Sequence, residues 1–301
     1  MFATLAFHLL VLFGLSPLLA GIIARTKAMI AGRRGQPLLQ LYRDLWKLFH
    51  KDMVISRTTT WLFRAGPLVG FAVPALAAMM VPFGAMAAPV SFAGDLILFV
   101  YLMALARFFL VLAALDTGSS FEGMGAAREV TFSVLVEPTI FVAFIVLARI
   151  AGDFTLNAMF TTGPFFLGQA AMPVGLTAFC LFIVLLVENC RIPFDDPNTH
   201  LELTMIHEVM VLDHSGPDLG LILYGAAMKL TISAALVLDL MLPATGNMLL
   251  DCVAFAAGLC GLAVGVGLVE SAMARLRLVR VPQVLVGTIL LSFFALILAL
   301  R

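Results

Sequence analysis

Between Glu188 and Gly216 the chain crowds Glu188, Asp195, Asp196, Glu202, Glu208 and Asp213 together with His200, His207 and His214, three of its five histidines. Carboxylates and imidazoles are the groups that pass protons, because neighbours can shift their pKa into the working range. Further ionisable residues fall inside long apolar runs: Arg107, Glu137, Lys229 and Asp239. A charge at the centre of a bilayer costs roughly 2.5–3.5 kcal/mol on insertion scales, so these side chains are expected to face protein and to have partners. Asp116, Glu122, Arg128 and Glu129 cluster at the ends of two of the runs. Carboxylates alternating with bases from a surface toward mid-membrane suit a proton relay. The same residues would also serve as static ion pairs locking helices, and the 188–216 segment as a solvated loop. As a set they favour the relay: Arg107, Glu122, Arg128, Glu129, Glu137, Glu188, Arg191, Asp195, Asp196, His200, Glu202, His207, Asp213, His214 and Lys229.

Other chemistries find no support. The chain has no nucleophile–base triad and no glycine-rich phosphate loop. His207-Glu208 is followed by Val-Met-Val, so no HExxH zinc motif forms. Cys180, Cys190, Cys252 and Cys260 contain no CxxC pair, and neither a disulfide nor a metal is expected of them. Eighteen basic residues balance eighteen acidic ones, so no nucleic-acid partner is implied. Alone, the chain is expected to catalyse nothing and to hold no cofactor.

The elements that position these residues are membrane helices. The 301 residues are 62% hydrophobic and 12% charged, against about 45–50% and 25% in soluble domains. Eight apolar runs reach the length of about 20 residues that spans a bilayer: roughly 2–24, 67–87, 95–115, 132–151, 170–188, 219–242, 247–269 and 282–300. Lipid satisfies no backbone group, so each run must be helical. The expectation is an all-α integral membrane protein, a single multi-pass domain over residues 1–301. The first run has no small-residue cleavage site and reads as a retained helix.

Lysine and arginine orient it. The 25–66 connection holds nine of the eighteen basic residues, whereas 88–94, 152–169 and 243–246 hold none. By the positive-inside rule the loops at 25–66, 116–131, 189–218 and 270–281 are cytoplasmic. Polar material then lies on one side, as in a membrane base on which a soluble assembly docks. Leu38–Phe49 has helical apolar spacing and reads as an amphipathic helix at the inner interface or a plain surface helix.

With those residues assembled, the chain resembles the membrane subunit shared by respiratory complex I (NADH-quinone oxidoreductase) and the energy-converting [NiFe] hydrogenases. Arg33-Arg34-Gly35, Leu39-Gln40, Asp44 and Lys47 are similar to the family's RRGP…LQ…D..KL pattern. Glu188, Arg191, Pro193, Phe194 and Asp195 match its E..R.PFD motif. Leu115–Pro138 and Glu270–Leu278 resemble the formate hydrogenlyase and hydrogenase-4 membrane subunits more than complex I. The resemblance implies an eight-helix subunit of a bacterial or archaeal cytoplasmic membrane. It would lie beneath soluble [NiFe] hydrogenase-like large and small subunits and iron–sulfur subunits, beside antiporter-like membrane subunits. The [NiFe] centre and iron–sulfur clusters would belong to those partners, docked on Arg33, Arg34, Gln40, Arg43, Asp44 and Lys47. After PFD the family commonly carries a run of glutamates. Here Asn198 and His200 replace two of them and Glu202 is retained. Those replacements weigh against a quinone pocket of complex I type. The resulting expectation is a non-catalytic coupling subunit. The alternatives are the quinone-site subunit of a complex I-like enzyme and a purely structural anchor.

Overall fold

In the computed structural model, which describes residues 2–161, 170–195, 205–243 and 245–301, secondary structure is helical apart from one isolated bridge between Phe83 and Met86. Among the described residues, eight helices are long and apolar enough to cross a membrane. They are α1 (Thr4–Ile30), α3 (Trp61–Ala78), α4 (Asp95–Asp116), α5 (Ser120–Ala151), α7 (Ala171–Glu188), α9 (Gly216–Asp239), α10 (Met248–Ala272) and α11 (Val281–Ala299). Shorter helices are α2 (Gln40–Phe49), α6 (Leu156–Thr161) and α8 (His207–Met210). The 25–66 connection, with its basic residues, marks what we term the basic end of the bundle.

Helix α9 is the pivot. It is the most deeply buried span and packs against α1, α2, α3, α7 and α10. Prolines explain how it sits so close to its neighbours. Pro74 has no N–H for the carbonyl of Gly70 one turn earlier, and that carbonyl lies where a side chain on Gly225 of α9 would be. Only a glycine admits that approach. Pro17 likewise strips the Phe13 carbonyl of its helical donor. There α1 runs through a π-helical turn, Leu10–Leu15, and the Tyr224 hydroxyl of α9 donates to Phe13 O at 2.7 Å. The Tyr42 hydroxyl of α2 donates to the next carbonyl, Gly14 O. The Phe13 carbonyl freed by Pro17 and the Gly14 carbonyl in the same π-helical turn are thus met by side chains from other helices, where lipid could not satisfy them.

Two boundaries correct the expected ones. The run at 67–87 does not stay helical: α3 ends at Ala78, and residues 79–90 fold back as a turn with Val81, Phe83 and Met86 buried. Pro82 and the positive-φ Gly84 account for the break. The segment 116–131 is not a loop. It belongs mostly to α5, which begins at Ser120 and at 32 residues spans about 48 Å, well beyond the roughly 30 Å hydrocarbon core. Glu122, Arg128 and Glu129 had marked this stretch as aqueous, but each finds a partner within the protein: the Asp213 amide, the Met205 carbonyl and Arg107. The adjoining Asp116 is structural. It accepts hydrogen bonds from the amide and hydroxyl of Thr60, the residue that caps α3.

Candidate functional site

One guanidinium gathers the intramembrane acids. Arg107 of α4 donates through Nη2 to both oxygens of Glu188 of α7, at 2.6 and 2.7 Å, and through Nη1 to Glu137 of α5 at 3.1 Å. Its Nε lies 3.6 Å from Glu129. Lys229 of α9 holds the far side of Glu188 at 2.8 Å. A planar fork of five donors suits several carboxylates at once, which a lysine does not. Four helices therefore meet on one polar knot. It contains three carboxylates and two fixed positive charges, so one negative charge must be offset by a proton or a cation.

A cavity of about 440 Å³ leads from this knot to the basic end. Its walls include Lys27, Asp44, Arg107, Glu129, Glu188, Arg191, Asp195, His207, Glu208, Lys229 and Glu270. At its rim Glu270 of α10, fully buried, is held by Lys27 at 2.8 Å and faces Arg191 at 3.6 Å. Asp195 accepts from Arg275 at 2.8 Å and from the Ile206 amide at 3.0 Å. Even with Arg275 counted, the cavity's acids outnumber its bases. A second, narrower cavity of about 50 Å³ continues from Arg107, Glu137, Glu188 and Lys229 to Ser233 and Leu236, away from the basic end.

Of the expected relay residues, Arg107, Glu129, Glu137, Glu188 and Lys229 form the knot, while Arg191, Asp195 and His207 line the cavity above it. Glu122, Arg128, Asp213 and His214 lie outside that group and instead seat the 205–216 segment, the first three on α5 and His214 on Phe63 of α3. Arg128 donates to Met205 O at 2.8 Å, and Glu122, fully buried, accepts from the Asp213 amide at 3.2 Å. Asp196, His200 and Glu202 lie outside the described residues.

The two remaining histidines are neutral at physiological pH. Burial, and secondarily the charge of Lys229, pushes His207 down to about 4. Burial alone pushes His214 down to about 4. The His214 ring stacks on Phe63 with centroids 3.9 Å apart, and neither ring nitrogen has a hydrogen-bond partner. Burial also drives the Cys190 thiol well up, so it is no nucleophile.

Acid is therefore expected to loosen this seam. An unpacked His214 titrates near 6.5 and the packed one near 4, so opening takes up a proton. Stability is intact above pH 6.5 and falls as pH drops from 6.5 toward 4, at up to about 1.4 kcal/mol per unit. His207 adds a smaller share, because it borders the cavity. Amide exchange across 205–216 should quicken over that window, and His214→Phe, which keeps the stack on Phe63, should remove most of the effect.

On the 25–66 connection, Arg33, Arg34, Arg43 and Lys47 are exposed and available to a partner. Gln40 and Asp44 instead turn inward, bonded to one another at 2.8 Å and lining the cavity. Sequence reasoning missed Lys27, Glu270 and Arg275 as site residues and named Glu208 only as part of the acidic segment. Lys27 was counted only as a topology signal, and its pairing with Glu270 across the length of the chain leaves no local trace.

A comparison with protein families matches residues 2–300 to the family described as NADH dehydrogenase. Formate hydrogenlyase subunit 4 of Escherichia coli (strain K12) is 33% identical over 285 residues, covering 91% of both chains. Hydrogenase-4 component C of the same organism is 36% identical over 239 residues, covering 77% of this chain and 73% of that one. The H subunit of NADH-quinone oxidoreductase from Wolbachia pipientis wMel is 26% identical over 234 residues, covering 72% and 66%. Among solved structures, a chain of the membrane-bound sulfane sulfur reductase, an archaeal respiratory membrane complex, superposes with a TM-score of 0.85 over 99% of both chains. It is 21% identical, a likeness of fold.

Proposed function

Because the chain belongs to the NADH dehydrogenase family, we propose that it is the membrane-anchoring and energy-coupling subunit of a membrane-bound hydrogenase or formate hydrogenlyase-type complex. The observation that carries this is the acid-rich cavity running from the basic end to the Arg107 knot. Its charge balance leaves room for a mobile ion. Soluble electron-carrying subunits would sit on Arg33, Arg34, Arg43 and Lys47 at the cytoplasmic side of the inner membrane. The [NiFe] and iron–sulfur centres would be theirs.

In this reading a change of charge in the docked module is felt first at the cavity rim, by Asp195–Arg275 and Glu270–Arg191. There a carboxylate whose partner shifts gains or releases a proton. The Glu188–Arg107–Glu137 chain carries the change inward. Lys229 competes with Arg107 for Glu188, so movement of either cation redistributes the negative charge.

Solubilising native membranes and isolating the complex through a tag on this chain tests the reading. Co-purification of hydrogenase-like subunits, with proton movement on turnover in vesicles, is the expected result. The cavity's volume falls in the range of small-molecule pockets, which favours the quinone-site alternative as the second reading. Co-purified quinone without hydrogenase-like subunits would decide for it.

A further inference from the structure

The end of the bundle opposite the basic connection was expected to hold little chemistry, yet it buries three carboxylates. Two are structural. Asp95 accepts from the amides of Leu156 at 2.8 Å and Phe92 at 3.4 Å and from the Ser91 hydroxyl at 3.3 Å, tying the start of α4 to the neighbouring turns. Asp251 accepts from the amide and hydroxyl of Thr245, at 2.9 and 2.6 Å, in the turn before α10. Asp239, the last residue of α9, differs. Its Oδ1 accepts from the Gly84 amide at 2.8 Å, while Oδ2 is buried with no partner among the described residues, and the residue is only 5% exposed. Both Asp239 and Asp251 border a cavity of about 30 Å³ whose rim includes the exposed Pro243. That is room for about one water molecule.

We propose that Asp239 is a proton-exchange site, serving as the far-side terminus of the ion path that starts in the acid-rich cavity. The inference rests on the coupling reading above. Three features support it. First, a buried carboxyl with a single neutral donor is stable only when protonated or when another cation is beside it. The ionisable group that shares its cavity is Asp251, already satisfied. On the turn that contributes Gly84, His8 is engaged with Phe83, on which its ring stacks, and with Val81 O at 3.2 Å. Neither supplies Oδ2 with a counter-charge.

Second, the narrow cavity on the far side of the knot is lined on α9 by Lys229, Ile232, Ser233 and Leu236. Residues spaced three and four apart share a helix face, so Asp239 continues that stripe one turn beyond Leu236. Lys229 and Asp239 are ten residues, about 15 Å, apart along α9. A wetted gap of one turn would join the knot to Asp239. Third, a purely structural Asp239 would need only Oδ1. An asparagine meets that need and lacks the titrating oxygen, which makes Asp239→Asn a clean variant.

The test uses the intact complex in membranes. Infrared spectroscopy follows the carboxylic-acid carbonyl stretch through a titration over roughly pH 5 to 9, in the wild type and in Asp239→Asn. Proton translocation and hydrogen turnover are measured on the same preparations, with Glu188→Gln alongside. The expected result is a band that fades as pH rises and is absent from Asp239→Asn, with translocation down by about tenfold or more and turnover with artificial electron carriers retained. A band indifferent to pH, one that follows sodium at fixed pH, or no band difference between the two proteins would overturn the proposal. Normal translocation in Asp239→Asn with loss in Glu188→Gln would also overturn it and leave the coupling reading standing. Normal translocation in both would sink the coupling reading itself.

Discussion

Glu188→Gln is expected to abolish coupling while sparing electron transfer: turnover with artificial electron carriers holds, and ion translocation in vesicles falls by an order of magnitude or more. Glu188 is the one acid gripped by both cations of the knot, Arg107 at 2.6 Å and Lys229 at 2.8 Å. Glutamine has nearly the same volume but can neither carry the negative charge nor take a proton. Its amide also presents N–H donors to two partners that are themselves only donors. The knot keeps its shape and loses the anion that both cations share. Glu188→Ala should do worse, because besides the charge it removes the side-chain oxygen that Arg107 and Lys229 could still reach in the glutamine variant and leaves a void between them. Stripping one partner from a buried pair costs about 3–5 kcal/mol, which would be read as loss of assembled complex. Wild-type translocation by Glu188→Gln would remove the relay and leave the knot a static clasp.

What could be read beforehand follows from where the physics is local. Eight spans, the basic connection and the amphipathic helix at Gln40–Phe49 were legible, because bilayer thickness and helical period act along the chain. Arg107, Glu137 and Lys229 stood out as charges within apolar runs, and Glu188 as the start of the polar segment. Their convergence did not, since contacts between helices far apart in sequence leave no periodic signature. The start of α5 was hidden for the opposite reason. Charges at Glu122, Arg128 and Glu129 look aqueous until the Asp213 amide, the Met205 carbonyl and Arg107 are found beside them. The end of α3 was misjudged because hydropathy continues through Met80–Met86 while Pro82 and Gly84 break the helix. Buried apolar turn and spanning helix have the same composition. Asp239 was seen as a charge near a helix end. Nothing in the sequence separates its unpartnered oxygen from the satisfied carboxylates of Asp95 and Asp251.

Arg107→Met is expected to be the most damaging single change to stability, and Arg107→Met with Glu188→Met the less damaging pair. Removing Arg107 leaves Glu129, Glu137 and Glu188 facing Lys229 alone, so two negative charges go uncompensated where the intact knot has one. The penalty is again about 3–5 kcal/mol, since like charges crowd together without water to screen them. Methionine fills much of the space of either side chain and asks for no hydrogen bond. Removing Glu188 as well returns the cluster to a single unbalanced charge, with Lys229 free to answer Glu129. The double variant should therefore recover part of the loss, on the order of 2 kcal/mol, a non-additivity of the kind that neighbouring residues show. Membrane complexes seldom unfold reversibly, so the readout is the half-life of the assembled complex in detergent at a fixed elevated temperature. Three half-lives decide the matter. If the double variant decays faster than Arg107→Met, the two side chains are held by separate surroundings, and the picture of one charge-balanced knot beneath the cavity is wrong. If it decays more slowly, the charge count governs this part of the membrane. The surplus carboxylate that makes the site fit to carry an ion is then also what makes the protein depend on Arg107.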